Sequence, residues 1–428
     1  DGDQVPCKVL AFASDGGTAP LATIPIGPSD LVDMDGTTPA LSVTSFGSGL
    51  FGAYTGDLAI AFDRWLLVTV GAGNSISSDT SGPRYLANLL VIDTALNKVV
   101  QTVNLAWSLS RTGNFARGGT VQSVTQSIPS SVMFLPAGDG TRSGKIHVAL
   151  SNGLGDSFGL SDYFPGTVQE WDVDFNESEP VKAVSAKGSV TRTYLSRHYN
   201  PVALSAYVAA DGRRTLILTA AGASRFDASY ILQPLNSAYL EFLDLDSDQW
   251  QPNWEINLGP VLPSVTPLAH GTDENGMRFA LLTSQTFGAV YAVELSGLES
   301  NPVDSSRIRL LRTIDLVPGG SSQAGSGYQP SLAVTGSGRT ALVSSYTSSC
   351  LMVLALPSDI ENGPVVVDPA PFESANLASA KFSGIGALAI PSGGAADAYC
   401  IVNGTFGAGW TPLGAACIGS LTVPGGLP

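Results

Sequence analysis

The sequence predicts an all-β protein assembled from repeated four-stranded antiparallel units. Three observations predict it: low charge with many turn residues, hairpin-forming alternation along most of the chain, and recurrence of the same pair of hairpins. The 428 residues hold 48 Gly and 27 Pro, with 13% charged and 44% hydrophobic residues. That balance suits many short strands joined by turns and disfavours disorder.

VIDTALNKVVQTVNL (91–105) alternates apolar and polar residues, turns at a polar segment, then alternates again. LEFLDLDSDQWQPNWEINL (240–258) repeats the scheme, and 289–316 repeats it with a longer turn. TVQEWDVD (167–174) opens a weaker copy, and APLATIPIG (19–27) reads as the second half alone. A further hairpin precedes each unit: GDLAIAFDRWLLVTV (56–70), VALSAYVAADGRRTLILTA (202–220), PSLAVTGSGRTALVSS (330–345) and GIGALAIPSGGAADAYCIVN (384–403). Their Gly and Asp-Gly turns are hairpin chemistry.

Two hairpins in series give a four-stranded sheet that cannot bury both faces alone. Such sheets stack radially and close a ring, so the pattern predicts a β-propeller. Full blades fall near 55–105, 127–187, 200–259, 263–318 and 328–369. The sixth is a closing blade from 384–424 plus 5–27, which removes exposed edges. Six blades are favoured; ALSVTSFGSG within 28–54 leaves room for a seventh.

VIDTALNKVVQTVNL and ATIPIG resemble the YVTN-type repeat of bacterial exported propellers, with its Val-Ile-Asp strand, Thr/Asn turn and closing strand. LLVTVGAG (66–73) and FALLTSQTFG (279–288) stand where the Tyr-Val-Thr-Asn core would be. The resemblance implies the fold across most of the chain. It leaves function open, because such propellers include lactonase-like enzymes and noncatalytic surface proteins.

Net charge is −15, from 21 Lys plus Arg against 36 Asp plus Glu, which disfavours nucleic acid and anionic membranes as partners. No apolar run is long enough to span a bilayer. The start DGDQVPC lacks an initiator Met and reads as a chain trimmed of its targeting segment. Its acidic, small-residue composition suits a tract downstream of a lipid-anchored cysteine. The expected location is therefore exported: periplasm, outer-membrane surface or extracellular space. Cys7, Cys350, Cys400 and Cys417 form no C-x-x-C and are disulfide candidates. A Cys7–Cys417 bridge would staple the closing blade, and Cys400–Cys417 is the rival.

Propeller geometry puts strand 2–3 and inter-blade connections on one face. There the sequence places 71–85, 151–166, 221–238 and 404–416, with 28–54, 106–126 and 188–199 between blades. The opposite face is expected to carry mostly tight turns. Long loops carry function more often than short ones. Tyr85, Phe158, Tyr163, Phe164, Phe226, Tyr230 and Trp410 mark this as a recognition face for another envelope or surface protein, or a polymer.

Catalytic signals are sparse. No G-x-S-x-G, P-loop or dinucleotide fingerprint appears, and no metal-binding histidine motif. His147 in KIHVAL reads as structural and His270 in LAHGTDENG as a turn residue. The alternative reading, a lactonase-like hydrolase, puts a channel site at Arg197, His198, Tyr199, Arg225 and Asp227. No cofactor is expected. Calcium has one candidate, Asp244, Asp246 and Asp248, which lacks the Gly and distal Glu of an EF-hand and reads as a solvated turn; DMDG (33–36) is weaker. Asn176 and Asn403 head glycosylation sequons.

Overall fold

A computed structural model describes residues 7–11, 21–26, 30–31, 54–72, 86–105, 107–112, 121–126, 128–151, 153–155, 161–163, 165–175, 192–226, 232–263, 266–284, 288–316, 331–344, 350–371, 382–389, 398–404 and 417–421. The N-terminal hairpin pairs β1 (Cys7–Ala11) with β2 (Ala22–Ile26). Sheet 1 is the meander β3 (Tyr54–Ala61), β4 (Trp65–Ala72), β5 (Leu86–Asp93) and β6 (Lys98–Asn104). A separate hairpin follows, β7 (Trp107–Thr112) with β8 (Val121–Gln126).

Sheet 2 contains β9 (Ile128–Pro136) and β10 (Ser143–Ser151). A small hairpin, β11 (Gly153–Gly155) with β12 (Ser161–Tyr163), interrupts the chain. The sheet then completes with β13 (Pro165–Asp174) and β14 (Arg192–Tyr199). Sheet 3 opens with β15 (Pro201–Val208) and β16 (Arg214–Ala220). It too carries an inserted hairpin, β17 (Ser224–Phe226) with β18 (Leu232–Pro234). Next comes β19 (Ala238–Asp244), whose outer neighbour is split into β20 (Gln249–Trp250) and β21 (Ile256–Gly259).

Sheet 4 is β22 (Ala269–Thr272), β23 (Arg278–Thr283), β24 (Ala289–Glu294) and β25 (Arg309–Asp315). Sheet 5 is β26 (Leu332–Val334), β27 (Thr340–Ser344), β28 (Cys350–Ala355) and β29 (Val366–Pro371). Sheet 6 has three strands: β30 (Phe382–Ala389), β31 (Ala398–Gly404) and β32 (Cys417–Leu421).

Contacts divide the chain into two units. One comprises Asp1–Ala11, Leu21–Leu204 and Leu218–Phe226; the other comprises Phe12–Pro20, Ser205–Ile217 and Asp227–Pro428.

The middle strands are buried on both faces, as β5, β16, β24 and β27 show. Alternation then sends successive side chains to different neighbours. In unit 1, Trp65, Leu67, Leu89 and Val91 of sheet 1 pack on Ile146, Val148, Trp171 and Phe175 of sheet 2. The intervening Val68, Val70, Leu90 and Ile92 pack on Ile24 and Ile26 of β2. In unit 2, Ala280, Leu282, Tyr291 and Val293 of sheet 4 meet Ile217, Leu240 and Phe242 of sheet 3. Phe279, Leu281, Val290 and Ala292 meet Ala341, Val343, Met352 and Leu354 of sheet 5. Sheets stacked through both faces in sequence order are the construction of a β-propeller, and that is the fold.

Neighbouring inner strands are joined by a recurring hydrogen bond. Asp57 on β3 accepts from the Ser131 hydroxyl (2.7 Å) and the Val132 N–H (3.1 Å) on β9. Ser131 in turn accepts from the Leu204 N–H (3.1 Å) on β15. In unit 2, Ser205 on β15 accepts from the Leu268 N–H (2.7 Å) ahead of β22. Burial raises the Asp57 carboxyl above its ordinary range, against the lowering effect of the Ser131, Val132 and Leu58 donors.

A second recurring bond sets the strand ends. An arginine starts or immediately precedes strand 2 of sheets 1 to 5: Arg64, Arg142, Arg214, Arg278 and Arg339. Each carbonyl accepts the N–H of the residue after strand 3, at 3.0 Å from Thr94, 2.8 Å from Phe175, 3.1 Å from Leu245, 2.9 Å from Leu295 and 2.8 Å from Leu356. The acidic end of the Val-Ile-Asp strand belongs to the same corner. Asp93 is fully buried and takes a two-point bond from the Arg64 guanidinium, at 3.2 and 2.9 Å. That bond, outweighing burial, holds its carboxyl below the ordinary range. Asp93 also accepts the Ala95 N–H (2.9 Å), and Asn97 closes the turn at φ 49°.

Some expected connections differ. Residues 188–199, expected as an inter-blade loop, include strand β14, and the link to β15 is Asn200 alone at φ 56°. Among the described residues, β1 and β2 pair with each other and β30–β32 form a three-stranded sheet. The sulfur positions of Cys7, Cys350, Cys400 and Cys417 lie outside the described residues, although all four backbones are on strands.

Replacing Ser131 by Ala removes one donor to Asp57 and the acceptor of Leu204, and is expected to cost about 1–3 kcal/mol. Urea unfolding should show a lower midpoint, while Leu96→Ala at an exposed turn should stay within about 0.5 kcal/mol of the parent.

Candidate functional site

The strand ends of unit 2 enclose a partly open cleft of about 430 Å³. Its walls come from inner strands β15, β22 and β26 and from the turns beside them, with Phe279 as floor and Val208 and Val334 at the sides. These turns are the strand 1–2 and strand 3–4 connections, so the cleft lies at the ends opposite the long strand 2–3 connections.

Glu299 organises the polar wall. It sits in the 3-10 turn Ser296–Glu299 between β24 and β25. One oxygen accepts from the Tyr207 hydroxyl at 2.6 Å, the other from the Ala210 N–H at 2.9 Å. Arg278 lies 3.5 Å away through Nε, and its Nη1 donates to Thr272 at 2.6 Å. Burial alone would raise the Glu299 carboxyl, but Tyr207, Ala210 and Arg278 outweigh it and hold it low. Burial and the Glu299 bond push the Tyr207 hydroxyl well up, so it stays a donor at neutral pH.

His270 stands beside Tyr207, ring centroids 6.0 Å apart. Expected as a turn residue, it lies on β22 opposite Ala280. Desolvation of the ring lowers its pKa to about 4, so the imidazole is neutral at pH 7. The floor needs a glycine: a Cβ on Gly271 would come within 2.4 Å of the Phe279 ring.

A second titratable cluster is enclosed. Glu170 on β13 meets His147 Nε2 at 3.1 Å, Lys145 Nζ at 2.5 Å and the Tyr194 hydroxyl at 3.3 Å. Both His147 and Glu170 are buried, in keeping with a structural His147. Burial would raise the Glu170 carboxyl, yet the His147 and Lys145 bonds and their charge outweigh it and hold it at about 2.

The residues of the hydrolase alternative fall elsewhere. Arg197, His198 and Tyr199 are consecutive on β14, with Arg197 exposed and the other two half-buried. The Tyr199 carbonyl accepts from Gly222 (3.0 Å), the Asn200 carbonyl from Ala221 (2.9 Å), and the Asn200 side chain from Ser151 (2.8 Å). Burial raises the Tyr199 hydroxyl. The Arg225 side chain and Asp227 lie outside the described residues.

Of the recognition-face aromatics, Tyr163 is on β12 and Phe226 on β17, by backbone alone. Tyr85, Phe158, Phe164, Tyr230 and Trp410 lie outside the described residues, as do Asn176 and DMDG; the backbone of Asn403 is on β31. The long strand 2–3 connections hold in sheets 1 to 3 and 6, but shrink to 284–288 and 345–349 in sheets 4 and 5. At the opposite ends, 175–191 is long and 295–308 folds into two 3-10 turns, so those ends are not uniformly tight.

Asp244 caps its own turn, accepting from the Asp246 N–H (3.0 Å) and the Ser247 hydroxyl (2.7 Å), with Asp248 at φ 56°. It is the counterpart of Asp93 and Asn97. Among the described residues no three His, Cys, Asp or Glu side chains converge as a metal site. Sequence reasoning missed Tyr207, Thr272, Arg278 and Glu299, because Tyr207 and Glu299 are 92 positions apart.

Comparison with known proteins is loose. No family model matches the chain, and no curated protein matches it. Among solved structures, Sqt1 from Chaetomium thermophilum aligns at 14% identity and a TM-score of 0.42, over 82% of this chain and 67% of that one. The Cps50 (Swd1) β-propeller domain of Myceliophteria thermophila aligns at 11% identity and 0.34, over 86% and 97%. Hydrazine synthase of Kuenenia stuttgartiensis aligns at 13% and 0.36, over 71% and 84%. The fold assignment rests on the sheets themselves.

Two outcomes follow from this geometry. Gly271→Ala should lower the melting temperature through overpacking of about 1–3 kcal/mol against Phe279. The low Glu170 pKa stabilises the fold above the ordinary carboxyl value of 4.5 and is lost as pH falls toward about 2. Urea midpoints measured at pH 7, 4 and 3 should therefore fall steeply for the parent and less steeply for Glu170→Gln.

Proposed function

We propose that this chain is a noncatalytic, exported β-propeller that docks another protein through the end carrying its long connections. The observation that carries the reading is that these connections contain paired strands. In unit 1, β7–β8 occupies the link between sheets 1 and 2, and β11–β12 the strand 2–3 link of sheet 2. By antiparallel topology both project from the same ends of those sheets. Paired backbone presents a loop in one shape and lowers the ordering cost of binding. The acidic balance, the four cysteines and the YVTN-like segments support an extracytoplasmic location, with an envelope or surface protein as partner. The reading calls for no cofactor.

Chemical cross-linking of the full chain in its native envelope, read by mass spectrometry, tests this. Linked peptides should map to 106–126 and 151–166 and to one abundant protein. Replacing 153–163 by a short Gly-Ser link should abolish capture without lowering the melting temperature. Capture of the same partner by that variant would overturn the docking face.

A further inference from the structure

Gln169 stands in the face that sheet 2 turns toward sheet 1. Register places it opposite Val148 on one side and Thr193 on the other, so the three side chains share that face. Ile146, Val148 and Trp171 on the same face pack against sheet 1. Gln169 is 1% exposed, and its Nε2 donates to the Leu105 carbonyl at 3.1 Å, just ahead of β7. A carbonyl can only accept, so this bond fixes which way the amide lies and leaves Oε1 to find its partner elsewhere.

Oε1 is buried and has no hydrogen-bond partner in the protein. Neither has the buried hydroxyl of Thr193 directly across the ladder, nor Trp171 Nε1 two residues along β13. A buried polar atom left in that condition costs more than a made hydrogen bond contributes. Opposite residues hold their Cβ atoms about 4.5–5.5 Å apart, and Gln169 Oε1 and Thr193 Oγ1 do not bond each other. One water making two hydrogen bonds of about 2.8 Å spans a gap of that size. Its chemistry also matches: it donates to Oε1, exchanges either role with the hydroxyl, and can accept from the indole N–H. An ion does not suit the place. Lys145, Glu170, Asp172 and Arg192 alternate to the other face of these strands, so the three orphan groups are neutral and would leave a buried charge uncompensated. We propose that this corner is a binding site for a single ordered water, which bridges Gln169 Oε1 and Thr193 Oγ1. Through Gln169 it ties the outer strand β14 to sheet 1 at Leu105. The site is independent of the docking reading.

A crystal structure of the full chain, at a resolution that orders internal waters, tests this directly. It should show one water within about 2.5–3.2 Å of both Gln169 Oε1 and Thr193 Oγ1. No water there, a water touching only one of the two, or a direct bond between them would overturn the proposal. A double-mutant cycle reads the same bridge in solution by urea unfolding. Thr193→Val keeps the side-chain shape and removes the hydroxyl. It should lower the folded-to-unfolded ratio about tenfold in the parent, and at most about twofold in the Gln169→Leu background, where the water has already lost its other partner. Equal losses in the two backgrounds would also overturn the bridge. Where Gln169→Leu does not fold, the crystal structure of the parent decides alone.

Discussion

The fold depends on hydrogen bonds that leave one sheet and enter the next. A strand's own ladder satisfies its backbone within a sheet, but the inner edge of a propeller blade has no neighbouring strand on one side. Asp57 and Ser131 meet that need by accepting N–H groups of Val132 and Leu204, and Ser205 does so for Leu268. Apolar faces alone would let stacked sheets slide, because burial is non-directional. These polar contacts fix the level at which each inner strand meets the next, and the interleaved side chains of the middle strands follow from that level.

The arginine carbonyl at the start of strand 2 performs the complementary task within each sheet. It ties strand 2 to the exit of strand 3 and so fixes where the strand 3–4 turn begins. Once that corner is set, the guanidinium is free to vary. In sheet 1 it pairs with buried Asp93 and covers Trp65, while in sheet 4 it becomes part of the cleft wall beside Glu299. One backbone constraint thus places a cation at the same corner of five sheets, and local sequence decides its use.

Much of the architecture was legible because it is local. Alternation in 91–105 and 240–258 has a period of two over short spans, and Asp93–Asn97 and Asp244–Asp248 are turn chemistry within a few residues. The arginine repeat was legible too, in DRW, GTRSG, DGRR, NGMR and SGR, but it shows only when the turns are aligned with one another. Strand β14 was misread because TRTYLSRHYN is mostly polar, with Thr191–Thr193 and Ser196–His198 as polar runs, and lies at the outer edge of its sheet, where few positions need an apolar side chain.

The sequence by itself determined that the chain is all-β, that hairpins recur in pairs, and where acidic residues end a strand. These are consequences of backbone geometry over fewer than about ten residues. Tertiary structure alone decided that Tyr207 would meet Glu299, that His270 would line a cleft rather than a turn, and that His147 would be shut in beside Glu170. Those pairings join residues from different strands or different sheets, and which side chains meet depends on sheet register and stacking rather than on sequence spacing.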